Sequence, residues 1–264
     1  MKTKFLLLYL FIGFYSLSNL AQSPVTFDTP GTETFTVPPG VTEISIEAWG
    51  AGGAGGSAEF DEAGGGGSGA YSKSTLTVNK GEDFSITVGK GGTPKIFDTA
   101  QNGGKSKVIR DNTSTVIVLA KGGESVVGFD TESGAAGGLA TNGDIKENGA
   151  NGTDASATES GAGGDAPNSG GAGGSPVSSS NNGEKGKSPG GGGSGAATSS
   201  GSKKVGGNGG NGEIKITFTQ FTFTQATTGD FNIDGNWNVN DVPRLGDNAV
   251  INDGVVSDLT KNQI

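Results

Sequence analysis

The sequence predicts an all-β protein in which a glycine-rich body is inserted between the strands of a β-framework. Apolar and polar residues alternate with a period of two wherever the chain is not glycine-rich. No apolar stripe with a helical period follows the N-terminal segment. Glycine supplies 52 of the 264 residues, against a usual share of about 7%. Much of the chain therefore cannot fill an ordinary side-chain core.

The first 21 residues are predicted to be a secretory signal peptide. Two lysines precede the apolar run FLLLYLFIGFYSL, which is too short for a spanning helix, and SNLAQS offers a cleavage point after Ala21. An uncleaved membrane anchor is the alternative, but no stop-transfer run follows. The mature chain is accordingly expected to be secreted or held at the cell surface, without a membrane span.

Strands are predicted in the segments between glycine runs. Ile44, Ile46 and Ala48 alternate with polar residues, and AYSKSTLTVNKGEDFSITVGKGG carries two alternating runs on either side of NKGED, which predicts a hairpin. KVI, TVIVLA and GEIKITFTQFTF predict further strands. The glycine-rich body is expected from about Gly134 to Gly212, between one strand and its neighbours.

The spacing of Gly50, Gly52 and Gly55 after a predicted strand imitates a dinucleotide-binding turn. That turn needs a helix beginning at the third glycine, so that its amides can hold a pyrophosphate. GSAEFDEAGGGG follows instead and cannot form an amphipathic helix. We therefore expect no nucleotide site.

Two further motifs are also interpreted as chance matches. TAQNGGKS imitates a phosphate loop but has Thr99 where the first glycine belongs and continues into a strand. Ser200 and Lys203 have the spacing of a serine–lysine nucleophile without a helix to position them. The chain has neither Cys nor His. We predict no catalytic, cofactor-binding or metal-binding residue and no cofactor for this chain.

The glycine runs repeat with a period of three, as in GAGGAGG at 50–56, GGAGG at 170–174 and GGNGGNG at 206–212. Three residues per turn is the period of a polyproline II helix, which has no internal hydrogen bonds. Its backbone groups can therefore pair with parallel neighbours, and close packing would leave no room for Cβ atoms. Each such bond contributes only about 1 kcal/mol, so flanking strands must fix the runs. A flexible linker is the alternative, and residues 140–204 could be loops, partly disordered.

Several segments resemble, in their order, the glycine-rich domain of bacterial secreted proteins and phage tail adhesins. They are FTVPPGVTEISIEAWGAGGAGG, SGAYSKSTLTVNKGEDFSITVGKGG, NGGKSKVI, VLAKGGES and GGNGGNGEIKITF. The glycine-rich ectodomain of the anaplastic lymphoma kinase receptors is more distantly similar. The resemblance covers about residues 25–220 and implies a β-sandwich bearing polyglycine II helices, used as an adhesive tip or a rigid spacer. The chain differs from the phage members by Glu124, Asp154 and Asp165 among its glycines.

The tail fits two motifs. An NW pair, a VP turn and GDNAVI resemble the first rung of a β-solenoid in large bacterial surface proteins. A calcium loop of the dockerin type would instead use the oxygen-bearing side chains of Asp230, Asn232, Asp234, Asn238 and Asp241. The solenoid interpretation is favoured because it accounts for Trp237, Pro243 and Gly246.

We therefore divide the chain into a signal peptide at 1–21, a glycine-rich β domain at 22–220 and the start of a second domain at 221–264. The predicted function is a noncatalytic adhesion or structural module, the N-terminal part of a larger protein. Its expected partner is a surface glycan or a protein receptor. The alternative is an accessory module of a secreted carbohydrate-active enzyme whose catalytic solenoid lies beyond residue 264.

Charge excludes two classes of partner. The chain carries 18 basic and 27 acidic residues, and removal of the two signal-peptide lysines leaves 16 against 27, a net charge of −11. So acidic a chain repels nucleic acid and anionic lipid headgroups. Nucleic acid and nucleotides are therefore not expected as ligands.

Overall fold

The computed structural model describes residues 24–94 and 100–219 and, beyond them, only the backbone of four short strands. The predicted signal peptide lies outside the described residues. The chain divides into two compact units, one of Ala21–Gln220 and one of Met1–Leu20 with Phe221–Ile264.

The Ala21–Gln220 unit contains two antiparallel sheets of five strands each. Its strands are β1 (Val25–Phe27), β2 (Gly31–Thr36), β3 (Glu43–Trp49), β4 (Tyr71–Thr77), β5 (Asp83–Val88), β6 (Ser106–Arg110), β7 (Thr115–Ala120), β8 (Ala140–Asn142), β9 (Ile145–Glu147) and β10 (Glu213–Phe218). The strand orders are β1-β10-β3-β4-β9 and β2-β5-β6-β7-β8. The all-β class predicted from the alternation is confirmed, and the described residues contain no helix.

The hydrophobic core lies between the two sheets. Alternate residues of each strand point inward because strand side chains have a period of two, and the predicted inward residues Ile44, Ile46 and Ala48 of β3 are fully buried. The same core contains Phe84, Ile86, Val108 and Val118 from the facing sheet, and Ile214 and Ile216 from β10, the neighbour of β3.

The NKGED segment does not close a hairpin, so that prediction is wrong. β4 pairs with β3 and β9, whereas β5 pairs with β2 and β6. Both edges of each strand are therefore occupied, and the segment crosses from one sheet to the other. The crossing is fixed by Gly81, whose amide donates to the carbonyl of Val37 at 2.9 Å, and by the Val37 amide, which donates to Glu82 at 2.9 Å.

A lattice of extended runs projects from the strand ends, and run 63–70 lies inside it. The amides of this run donate to three neighbouring runs at 2.8–3.0 Å. The donor–acceptor pairs are Gly65–Thr153 and Ser68–Ala150, Gly66–Gly193 and Gly69–Gly190, and Gly67–Glu124 and Ala70–Lys121. In each pair of bonds, the residue number of the acceptor falls by three as that of the donor rises by three. This pattern is expected of antiparallel helices with three residues per turn.

The carbonyls of run 63–70 accept hydrogen bonds from three further runs. Gly161 and Gly164 donate to Ala63 and Gly66, Ala135 and Gly138 donate to Gly65 and Ser68, and Gly50, Gly53 and Gly56 donate to Ala70, Gly67 and Gly64. The first two neighbours are parallel to run 63–70 and the third is antiparallel. The expected parallel neighbours are therefore present, and antiparallel neighbours occur beside them because the chain returns on itself after each run.

The lattice also extends over more of the chain than predicted. It begins at Gly50 rather than at Gly134, since runs 50–56, 63–70 and 121–126 belong to it. Residues 140–204, considered as loops from the sequence, contain β8, β9 and several runs of the lattice. Polar side chains are compatible with the lattice because their oxygens replace peptide carbonyls as acceptors.

Asn148, Asn151 and Asp154 show how this replacement works. Their Oδ1 atoms accept the amides of Ala140, Gly137 and Gly134 at 3.1, 3.0 and 2.8 Å. Donors and acceptors both step by three residues, so the side chains form a ladder along one run.

The β8–β9 connection joins the two sheets at one side of the sandwich. β8 pairs with β7 and β9 pairs with β4, and Gly143 and Asp144 span the gap. The Asp144 amide donates to the carbonyl of Lys73 at 2.8 Å.

Candidate functional site

The glycines of the dinucleotide-like turn belong to the lattice. The amides of Gly50, Gly52 and Gly55 donate to the carbonyls of Ala70, Gly210 and Gly207 at 2.9–3.0 Å. A Cβ atom built on Gly52 would lie 2.0 Å from the carbonyl oxygen of Gly191. These glycines are therefore required for close backbone packing, and the amides that a phosphate would need are already engaged.

Residues of the other two motif matches also make contacts within the fold. In the phosphate-loop match, the amides of Gly103 and Gly104 donate to Gly123 and Lys90 at 2.9 and 2.8 Å. In the serine–lysine match, the Lys203 Nζ atom lies 5.2 Å from the centroid of the Phe129 ring, a cation–π distance. Thr99 lies outside the described residues.

The acidic residues noted among the glycines lie on the outside of the lattice. Glu124, Asp154 and Asp165 are exposed. The Asp165 Oδ1 atom accepts the amide of Gly173 at 2.7 Å, and Asp154 belongs to the ladder described above. Asp154 and Asp165 thus contribute hydrogen bonds to the lattice.

The ends of the runs farthest from the strands carry a set of loops, which we call the distal loops. A run such as 50–56 leaves a strand, spans about 20 Å at 3.1 Å per residue, and turns back toward the sandwich. The distal loops are 57–62, 127–133, 155–160, 176–182 and 198–204. Because the runs are packed side by side, these loops together form one surface.

Asp130 and two short β-bridges join three of the distal loops. The Asp130 Oδ1 atom accepts the amides of Glu59, Phe60 and Asp61 at 2.7, 3.1 and 3.2 Å. Short β-bridges join Ser57 to Phe129 and Ala58 to Lys204. The backbone that carries Phe60 is therefore held in place.

Phe60 is the most exposed large apolar residue of this surface. Its side chain is 67% exposed, and Val127 of the next loop is 56% exposed. A Cβ atom on Gly201 would lie 3.1 Å from the Phe60 ring, so the ring lies against this glycine. One edge of the ring is thus supported, while most of its surface faces solvent.

The distal loops are acidic around Phe60. They contain two lysines and six carboxylates, namely Glu59, Asp61, Glu62, Asp130, Glu132 and Glu159, a net charge of −4. The Asp61 carboxylate accepts the amide of Glu62 at 2.9 Å, which lowers the pKa of Asp61. Partial burial, followed by the hydrogen bond with Asp61, raises the pKa of Glu62.

Four oxygen-bearing residues of the alternative calcium loop lie outside the described residues: Asn232, Asp234, Asn238 and Asp241. Of Asp230, only the backbone is described. Elsewhere, in the described parts of the chain, no group of three or more His, Cys, Asp or Glu side chains could hold a metal ion. No helix in these parts is long and apolar enough to cross a membrane.

Sequence reasoning missed the distal surface because its residues come from loops separated by up to about 140 positions. A usable signal is present. Phe60-Asp61 and Phe129-Asp130 each interrupt glycine runs, and an isolated aromatic residue in such a run has no core to enter.

A family model described as a glycine-rich domain matches residues 27–219. No curated protein matches the chain.

Proposed function

Because the chain belongs to this family of glycine-rich domains, we propose that it is a noncatalytic secreted or cell-surface module that binds a partner through its distal loops. The observation that carries the proposal is Phe60, a large apolar side chain left exposed on a backbone that Asp130 holds rigid. Aromatic residues, phenylalanine among them, are enriched at protein interfaces relative to the rest of the surface.

The lattice supports this function by positioning the loops. Nearly every amide inside it has an acceptor, so the runs resist bending, and the loops are held about 20 Å from the sandwich. A preorganised surface loses less conformational entropy on binding than a flexible one.

The partner chemistry that fits the surface is a glycan or a protein receptor. A phenyl ring can stack on the apolar face of a sugar or enter an apolar pocket, and the surrounding carboxylates accept hydrogen bonds from hydroxyl or cationic groups. The net charge of −4 in the distal loops disfavours an acidic partner.

The proposal is tested with the secreted protein on arrays of immobilised surface polysaccharides and glycoproteins. Binding should weaken at least about tenfold on Phe60→Ala, the cost expected for an interface anchor. Ile145→Ala is the matched control, because Ile145 is 50% exposed but lies on β9 of the sandwich. Equal binding by wild type and Phe60→Ala, with both proteins folded, contradicts the proposal.

We also propose that residues 221–264 begin a β-solenoid-like region. Four short strands are described there: β11 (Phe223–Gln225), β12 (Gly229–Asp230), β13 (Ala249–Ile251) and β14 (Ser257–Asp258). β11 pairs with β13 and β12 with β14, both in parallel. Parallel pairing of strands more than 20 residues apart in sequence is typical of successive solenoid rungs.

Limited proteolysis of the tail distinguishes this proposal from the calcium loop. We expect cleavage between residues 221 and 264 to proceed at the same rate in millimolar calcium and in a chelator. Protection in calcium alone would instead indicate ligand-linked stabilisation by Asp230, Asp234 and their neighbours.

A further inference from the structure

We propose that Asn142 is a site of spontaneous deamidation, and that the lattice protects every other Asn-Gly pair of the domain. Asn-Gly is the dipeptide most prone to this reaction, because glycine offers no side chain to hinder attack by its own amide nitrogen on the asparagine side chain. The chain contains seven such pairs, beginning at Asn102, Asn142, Asn148, Asn151, Asn182, Asn208 and Asn211. They differ in what holds the glycine amide.

In six pairs, the glycine amide donates a hydrogen bond to a backbone carbonyl of the domain. The hydrogen bonds run from Gly103 to Gly123, Gly149 to Gly138, Gly152 to Ala135, Gly183 to Val205, Gly209 to Gly92 and Gly212 to Gly89, with lengths of 2.9–3.0 Å. The attacking nitrogen must give up its proton and rotate toward the side chain. Both movements require the lattice to open first.

Five of these six asparagines are also held by their side chains. The Oδ1 atoms of Asn102, Asn148, Asn151, Asn182 and Asn211 accept the amides of Ser125, Ala140, Gly137, Val205 and Gly91 at 2.8–3.1 Å. The amide carbon that would be attacked is thus fixed in a position set by another run.

Asn142 and Gly143 lack both restraints. Gly143 lies between β8 and β9, and its amide has no hydrogen-bond acceptor in the described part of the chain. The Asn142 side chain makes one long contact, from Nδ2 to the carbonyl of Val116 at 3.5 Å. Its Oδ1 atom accepts no hydrogen bond from the described residues.

The reaction needs only water. The Gly143 amide nitrogen loses its proton to solvent and attacks Cγ of Asn142, a bond forms between them, and the Cγ–Nδ2 bond breaks so that ammonia leaves with a proton from solvent. Water then adds to one of the two carbonyls of the resulting succinimide, the bond between that carbonyl carbon and the ring nitrogen breaks, and the nitrogen takes a proton from solvent. The product is aspartate or isoaspartate at position 142.

Either product changes the connection between the sheets. A carboxylate replaces a neutral amide two residues from Asp144, and isoaspartate adds one methylene group to the backbone of the β8–β9 connection. We expect the modified chain to remain folded, because the lattice runs on either side keep their hydrogen bonds.

The experiment is peptide mapping by mass spectrometry after the folded protein has been incubated at mildly alkaline pH. Conversion at Asn142 should be at least about tenfold faster than at any of the other six sites, since those require local opening. The same map after incubation in denaturant is the internal control, and there all seven sites should react at comparable rates. N142Q should abolish the fast acidic species seen by ion exchange.

Two results would overturn the inference. One is a lattice asparagine, such as Asn151, that converts as fast as Asn142 in the folded protein. The other is an unmodified Asn142 in the folded protein under conditions that convert it in denaturant.

Discussion

At Gly65, a Cβ atom would lie 1.8 Å from the carbonyl oxygen of Ala162. The obstacle is backbone that is itself fixed by hydrogen bonds, so it cannot move aside as a flexible side chain would. Glycine is required here because there is no space for a side chain. The backbone conformation itself is extended, and any residue could adopt that conformation. Gly65 is fixed by its surroundings in the same way that a core residue is fixed in an ordinary domain.

Gly65→Ala should therefore destabilise the domain by about 3 kcal/mol or more, because overpacking without relief forces the runs apart. The measurement is the free energy of unfolding from denaturant titration. Ala136→Val is the control, since Ala136 is exposed on a lattice run and should tolerate the change within about 0.5 kcal/mol. Equal stability of Gly65→Ala and wild type would show that the lattice can expand.

Asn151 provides a second residue-scale prediction. Asn151→Leu removes the acceptor of the Gly137 amide and should cost about 1 kcal/mol, whereas Asn151→Asp keeps an acceptor and should cost less. Asn208→Leu is the matched control, because Asn208 is an exposed residue of a lattice run whose side chain makes no hydrogen bond to the described residues. The free energies of unfolding of the three variants test this directly. Equal losses for Asn151→Leu and Asn208→Leu would contradict the ladder.

At the scale of single elements, the surface runs expose one amide in three. The amides of Ala136, Asn151, Ala172 and Asn208 have no acceptor within the residues described, whereas the residues on either side of each donate. This follows from a helix with three residues per turn at the edge of a lattice.

Hydrogen exchange should therefore show a period of three along these runs. Asn151 and Asn208 should exchange at rates close to those of an unfolded chain, and Gly152 and Gly209 should exchange many times more slowly. NMR detection of individual amides is the measurement, and Gly52, Gly53, Gly207 and Gly210 should also be protected. Uniformly fast exchange along a run would identify it as a flexible linker.

The Glu82–Arg110 pair fixes the strand crossing after β4. Burial alone would raise the pKa of Glu82, but hydrogen bonds from Asn79 and Arg110 outweigh it and hold the pKa below its usual range. The Arg110 Nε atom donates to Glu82 at 2.9 Å. A carboxylate with a lowered pKa stabilises the fold above its unfolded pKa, and this contribution is lost as the pH falls through the folded value.

Between about pH 5 and pH 3, the wild type should thus lose more stability than Glu82→Gln, which is less stable at neutral pH but has no charge to lose. Thermal unfolding at several pH values is the measurement. Glu33→Gln, at an exposed position on β2, should follow the wild-type profile. A parallel pH dependence in Glu82→Gln and wild type would contradict the assigned role.

At the scale of the whole molecule, local sequence patterns predicted the strands and the glycine helices, but not which strands pair or which loops meet. Alternation placed β3 and its buried residues, and the triplet repeat predicted close-packed glycine helices. The crossing at NKGED was missed because pairing depends on which edges other strands leave open. The distal surface was missed because Phe60 and Asp130 meet only once the runs have packed. From the sequence, residues 140–204 could be either loops or lattice runs, because the side-chain acceptors of the lattice cannot be distinguished there from those of turns.

The two compact units give a prediction at this scale. A chain ending at Gln220 should unfold at the same temperature as the 264-residue chain, because the β-sandwich and the lattice both lie within Ala21–Gln220. Scanning calorimetry of the two chains is the measurement. A lower unfolding temperature for the shorter chain would show that residues 221–264 stabilise the glycine-rich domain.

Run 63–70 is hydrogen-bonded to neighbouring runs on all sides. This packing restricts how the distance between the β-sandwich and the distal loops can change. Each residue adds about 3.1 Å to a run, and the pattern repeats after three residues, so the distal loops can move outward only in steps of about 9 Å. A triplet inserted into one run alone would lack partners on all sides. Neighbouring runs must therefore lengthen together, by the same number of triplets. The distance of the distal loops from the β-sandwich is then set by the whole bundle of runs, whereas the residues of the loops can vary independently.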